Sequence, residues 1–146
     1  SRLPLRRIKT EFVERFDKQK GIADAQRMAR AARSGQSLLF YPEGTFTRMP
    51  GLLPFHMGAF AAAAEGKVPI IPIAIRGTRS ILRPGSWIPR RGAITITMCK
   101  PVDPEEIKVQ TLADPWKIAL KLRNAVREQI LRFSGEPDLA HEKSPV

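Results

Sequence analysis

Two short apolar runs constrain this chain more than any other feature. Ser37-Leu38-Leu39-Phe40-Tyr41 and Val68-Pro69-Ile70-Ile71-Pro72-Ile73-Ala74-Ile75 show neither a helical period nor alternation. Runs of that length, apolar on both sides, are the mark of strands covered on both faces. The prolines at 69 and 72 are unusual in such a strand, because proline cannot donate to a sheet ladder.

Helical patterns surround these runs. Ile22–Arg33 carries Ile22, Ala25, Met28, Ala29 and Ala32 at helical spacing, with Gly35 as a stop. Met57–Glu65 reads as a short Ala-rich helix stopped by Gly66. Asp114 as N-cap and Pro115 at the first helical position open a long helix that ends at Gly135. Its expected apolar set is Trp116, Ala119, Leu120, Val126, Ile130 and Phe133. Ala93–Met98 alternates Ile94, Ile96 and Met98 with Thr95 and Thr97, as a strand with one wet face does. Thr10–Val13 fits a further short strand.

The order of elements predicts an α/β fold: a largely parallel sheet flanked by helices, with a long C-terminal helix. Residues 1–135 form the expected domain, and 136–146, without apolar period, the expected flexible tail. In open sheets of this class ligands bind beyond the carboxyl ends of the strands. The loops starting at Pro42 and Arg76 leave those ends.

Charge narrows the partners. The net charge is +11, and it is uneven. Residues 1–33 hold 10 basic and 4 acidic groups, and residues 76–100 hold 6 basic and none acidic. A polyanion, an anionic membrane surface or a phosphorylated small molecule each suits two basic segments around a neutral middle. One cysteine cannot form an internal disulfide, and with two histidines it makes a structural zinc site improbable. No window of 18 apolar residues occurs, so no transmembrane helix is expected within these residues.

Chemistry concentrates at Phe40-Tyr41-Pro42-Glu43-Gly44-Thr45. Glycine lets backbone approach a ligand closely, and its N–H can face a phosphate oxygen. Glu43 can accept from a sugar or glycerol hydroxyl; taken alone, the pattern is more simply a turn with a solvated carboxylate.

Tyr41-Pro42-Glu43-Gly44-Thr45 resembles the Phe-Pro-Glu-Gly-Thr signature of the glycerolipid acyltransferases, the lysophosphatidate (1-acylglycerol-3-phosphate) acyltransferase-like family. Three further stretches agree in order. Phe12-Val13-Glu14-Arg15 resembles the family's second block. Leu53-Pro54-Phe55 with Gly58-Ala59-Phe60 resembles the segment after the glutamate block. Val68–Ile73 resembles the fourth block, and that resemblance accounts for its prolines. Together they cover roughly residues 5–103.

The resemblance implies transfer of a fatty acyl group from acyl-coenzyme A or acyl carrier protein to a hydroxyl of lysophosphatidate or a similar lysophospholipid. It implies no cofactor and no metal; the thioester is a substrate. By resemblance Arg15 binds the acceptor's phosphate, and Glu43, Gly44 and Thr45 shape the acceptor pocket. A guanidinium suits phosphate through two parallel hydrogen bonds. The family's signature continues with arginine after Gly-Thr; this chain has Phe46, and Arg48 is the nearest substitute. The second block usually opens with glycine six residues before its arginine, where this chain has Lys9.

The family's His-x-x-x-x-Asp motif is missing: Ala61 lies five residues after His56, and Val146 five after His141. That histidine takes the proton from the attacking hydroxyl. The motif is expected upstream of Ser1, and these 146 residues, a fragment of an acyltransferase, are expected to be inactive alone. Cys99 and His56 are weaker candidates, for an acyl-accepting thiolate and a phosphate contact; as a strand end and a helix start each has a plainer explanation. Asp103, Glu105 and Glu106 read as a solvated acidic turn.

Arg79, Arg83, Arg90 and Arg91 surround Leu82, Trp87 and Ile88. Trp87, Ile88, Arg90 and Arg91 are candidate membrane contacts, since indole enters the headgroup layer and guanidinium meets lipid phosphate. A solvated loop with Trp87 packed inward fits the same residues. The resemblance implies a position at the cytoplasmic face of a membrane, peripheral or anchored by parts outside these residues. Two other functions remain open: a non-catalytic binder of phospholipid headgroups, and a basic nucleic-acid-binding module. Nucleic acid is the less favoured partner, because aromatics are only 7% and no nucleic-acid motif occurs.

Overall fold

The computed structural model describes residues 18–45, 49–83, 85–108 and 114–140, without the side chains of 18–22 and 108. The chain runs α1 (Lys18–Arg33), α2 (Gly58–Gly66), β1 (Ile73–Arg76), α3 (Thr78–Ile81), β2 (Thr95–Met98), α4 (Pro104–Lys108) and α5 (Pro115–Ser134). The strand expected at Thr10–Val13 lies outside the described residues.

α5 starts where its sequence dictates. The Asp114 carboxylate accepts from the Trp116 N–H at 3.0 Å, Pro115 occupies the first turn, and Gly135 caps the other end. Replacing Asp114 with alanine removes that acceptor; stability should fall by about 1 kcal/mol. Thermal unfolding should then shift by about 3 °C, and an unchanged midpoint would show that the cap carries no weight.

Ile118, Ala119, Leu122 and Val126 of α5 are buried against Leu52, Phe55, Phe60 and Ala63. The expected apolar set is therefore corrected in part. Trp116 and Phe133 are exposed, while Ile118 and Leu122 fill the core. The stripe is rotated from the expected one because α2 and the 52–55 segment contact the Ile118–Leu122–Val126 side of the helix. A second, smaller cluster joins α1 to α2 through Ala25, Met28 and Ala62, with Leu38 and Phe40 packed on it.

The largely parallel sheet is not present among the described residues. β1 and β2 pair antiparallel, with Ile73 opposite Met98 and Ile75 opposite Ile96. The reason is the connection. Gly77 (φ +95) turns the chain out of β1, and the chain then returns alongside it as β2. A Cβ at Gly77 would stand 2.2 Å from the Ala93 carbonyl oxygen, so only glycine permits this approach. The isolated bridge between Ile70 and Val102 extends the same antiparallel path.

The two apolar runs are likewise corrected. Ser37–Tyr41 forms no strand; Leu38 and Phe40 pack inward, while Leu39 and Tyr41 are exposed. In the second run Pro72 and Ala74 are buried, but Ile71, Ile73 and Ile75 are exposed. Only one face of each run is covered by the described residues. Only Ile73–Arg76 of the second run joins the two-stranded ladder, downstream of both prolines.

The expected tail differs as well. Residues 136–140 are not loose: Leu52 N–H donates to the Pro137 carbonyl, Leu139 N–H donates to the Leu52 carbonyl, and Leu139 is buried. Leu139 is the apolar residue that seats this segment, a single contact without a period to betray it. Residues 141–146 lie outside the described residues.

Candidate functional site

The Glu43 segment is a tight turn, built by hydrogen bonds that its sequence supplies. Gly44 N–H donates to the Tyr41 carbonyl at 3.1 Å, across Pro42 and Glu43. The chain then comes back to it. His56 N–H donates to the Pro42 carbonyl at 2.9 Å, and Leu53 N–H donates to Glu43 Oε2 at 2.9 Å. Glu43 is half-buried. One carboxylate oxygen thus anchors the facing loop. The other, Oε1, has no partner among the described residues and remains able to accept.

The facing loop is in turn braced from behind by α5. Arg127 is buried, and its guanidinium lies 4.9 Å from the Phe55 ring centroid. Its Nη1 donates to the Leu53 carbonyl, and its Nη2 donates to the Leu52 carbonyl at 2.7 Å and to the Asp138 carboxylate. Glu136 adds a second tie, accepting from Gly51 N–H at 2.6 Å and from Arg79 Nε at 2.9 Å. Gly51 (φ +137) lies against Leu139, whose Cδ1 would stand 2.3 Å from any Cβ at that position. Segment 51–53 is therefore held on three sides: by Glu43, by Arg127 and by residues 136–139.

The expected site residues divide accordingly. Glu43, Gly44 and Thr45 share the turn. Arg15 and Arg48 lie outside the described residues. Trp87, Ile88, Arg90 and Arg91 sit on a separate loop, between α3 and β2, and all four are exposed. Arg79, grouped with them by sequence, is instead ion-paired to Glu136. His56 is exposed beside the turn, joined to it through its backbone. Cys99 is half-buried, its Sγ 3.9 Å from the Thr97 carbonyl.

The residues missed by sequence reasoning are Arg127, Glu136 and Asp138. A signal existed: Arg127 follows Val126 within the apolar stripe of α5, where an arginine is out of place unless something buried needs its donors.

A groove of about 620 Å³ opens elsewhere, lined by Ala61, Ala64, Lys67, Pro104 and Trp116 among others. It contains none of the turn residues. Among the described residues no group of three or more His, Cys, Asp or Glu is placed to hold a metal ion. No described helix is long and apolar enough to cross a membrane.

Comparison with known proteins points one way. Residues 2–76 match the family model described as Acyltransferase. The chain is 26% identical over 131 residues to a 1-acyl-sn-glycerol-3-phosphate acyltransferase of Saccharomyces cerevisiae, covering 88% of this chain and 42% of that protein. It is 29% identical over 126 residues to the protein of the same name from Haemophilus influenzae, covering 86% and 50%. The chain thus spans about half the length of these relatives. Among solved structures, the 1-acyl-sn-glycerophosphate (LPA) acyltransferase PlsC from Thermotoga maritima is similar at 23% identity and a TM-score of 0.50, over 75% of this chain and 45% of that one. That likeness is one of fold, and it supports an acyltransferase-like α/β arrangement.

Proposed function

This chain belongs to the acyltransferase family, and from that premise we propose that it holds the acceptor of a phospholipid-forming acyl transfer. The acceptor is lysophosphatidate or a similar lysophospholipid, and the donor is an acyl thioester of coenzyme A or of acyl carrier protein. The observation that carries this reading is the anchored Glu43 carboxylate. Oε2 is engaged by Leu53 N–H, which fixes the carboxylate's direction, and Oε1 is left to accept from the glycerol hydroxyl of an acceptor. Preorganisation of this kind holds a hydroxyl in place without ordering cost at binding. Arg15 supplies the phosphate contact in this reading, and Arg48 and the Gly44–Thr45 backbone are further candidates for it.

The 1-acyl-sn-glycerol-3-phosphate acyltransferases among the relatives support the acceptor class. The same reading places the protein at the cytoplasmic face of a membrane, where acceptors of this class reside. The sequence contains no His-x-x-x-x-Asp, so we assign the described turn to acceptor holding and not to proton removal.

Titration calorimetry with a short-chain, soluble lysophosphatidate tests this. Binding is expected, and the matching monoacylglycerol, which lacks the phosphate, should bind at least tenfold more weakly. Glu43→Gln, whose amide oxygen can still accept from Leu53 N–H, should weaken lysophosphatidate binding by about tenfold, the size of one charge-assisted hydrogen bond, with the circular dichroism unchanged. Equal binding of the two ligands, or no binding at all, would reject the reading.

A further inference from the structure

We propose that the loop 82–91 is a docking surface for an anionic lipid bilayer. It contains none of the residues assigned to the acceptor, so it stands or falls apart from the acyl-transfer reading.

Three apolar side chains project from this loop into solvent. Trp87 is 88% exposed, Ile88 64% and Leu82 53%. Among the described residues the indole is not packed inward. Around them stand Arg83, Arg90 and Arg91, each exposed and without a carboxylate partner among the described residues. No acidic residue occurs between Glu65 and Asp103, so nothing nearby in sequence neutralises them. Arg79, at the base of the loop, is the exception that shows the contrast: its charge is spent on Glu136.

The display is built. The base is closed by Arg90 N–H donating to the Ile81 carbonyl at 2.8 Å. A turn at the tip is made by Ser86 N–H to the Arg83 carbonyl at 3.0 Å, and Ser86 Oγ accepts from Ile88 N–H at 3.3 Å. Gly92 lies against Ile81, where a Cβ would come within 2.9 Å of Ile81 Cγ1. Backbone held this way presents Trp87 and Ile88 together, so little ordering remains for docking.

The chemistry selects the partner. Indole and isoleucine suit the headgroup and acyl boundary, while the surrounding guanidiniums suit lipid phosphates. A single-stranded nucleic acid would use the arginines and stack on Trp87, but it offers nothing to Leu82 and Ile88. Exposed aliphatic side chains beside the indole favour hydrocarbon.

The test uses the full chain with vesicles of phosphatidylcholine, alone or mixed with phosphatidylglycerol. The chain has two tryptophans, so Trp116→Phe leaves Trp87 as the sole indole reporter. Trp87 emission should shift to the blue with the mixed vesicles, and the chain should sediment with them. Arg90→Ala with Arg91→Ala should lower partitioning roughly 25-fold, at about fivefold per arginine. Trp87→Ser, made with Trp116 intact, should lower it by about tenfold. All these side chains are exposed, so the variants should keep the parent's circular dichroism. Overturning results are equally clear: no sedimentation with mixed vesicles; sedimentation with unchanged Trp87 emission and undiminished partitioning of the arginine variant; or binding to an oligonucleotide alone, with a steep loss in salt.

Discussion

Arg127→Met should be among the most destabilising single substitutions in the chain, at about 2–3 kcal/mol. The side chain is replaced by one of similar reach, so packing against Phe55 is largely kept and the loss isolates the donors. Removing them takes the donor from the Leu53 carbonyl and the guanidinium from the Leu52 carbonyl and the Asp138 carboxylate, which keep Leu139 N–H and Ala140 N–H. A part-buried acceptor stripped of its donor costs more than the hydrogen bond was worth. Thermal unfolding should drop by roughly 5–10 °C. Lys117→Ala provides the contrast. Lys117 pairs with Asp114 at 3.9 Å on the surface, and its loss should cost less than about 0.5 kcal/mol. Should the two substitutions cost the same, the clamp carries no weight. A double-mutant cycle of Arg127→Met with Asp138→Asn separates the charge pair from the carbonyl contacts, which should retain most of the effect.

The clamp also marks where sequence reasoning reached its limit. Local chemistry was legible. The Asp114 cap, the Pro115 start and the Gly135 stop of α5 follow from short-range rules, and the structure has all three. The Glu43 turn was legible because proline, glycine and a carboxylate after an apolar run leave few alternatives. Long-range pairing was not. The expectation of parallel strands rested on apolar runs, yet a run records only that side chains avoid water, and the same letters served one face packed and one exposed at Ile73–Arg76. The direction of pairing was set instead by Gly77 and its approach to Ala93, contacts invisible to a period. Residues 136–139 misled for a related reason: their anchoring comes from one leucine, two carboxylates and two backbone bonds, which have no repeat to detect. In the site itself the sequence pointed to Glu43 and could not say what holds it. The answer, Leu53 N–H in front and Arg127 behind, joins residues 10 and 74 positions apart.

Acyl transfer from a thioester to lysophosphatidate by these 146 residues is expected to stay at the uncatalysed rate. The hydroxyl must lose its proton as it attacks the thioester carbonyl, and a positioned base contributes about 10²–10⁴ to such a step. No described group is placed for that work. Glu43 has one oxygen committed to Leu53 N–H, and its direction suits holding a hydroxyl. His56 meets the turn through its backbone, with its ring exposed and no aspartate five residues on to orient it. Cys99 has its sulfur near the Thr97 carbonyl at a strand end, and no histidine precedes or follows it nearby to draw off its proton. The assay follows coenzyme A release from an acyl-coenzyme A, with and without lysophosphatidate, on a sample whose acceptor binding has first been shown by calorimetry. That order matters, because it separates a chain that is folded and binds the acceptor without turnover from one that is simply unfolded. Release that depends on lysophosphatidate and disappears in His56→Ala would overturn the expectation and make His56 the base. Release that survives His56→Ala but is lost in Cys99→Ser, with a trapped thioester on the protein, would overturn it in favour of the thiol. Binding without release leaves Glu43 with the role its geometry supports, a fixed acceptor for the hydroxyl that another group must deprotonate.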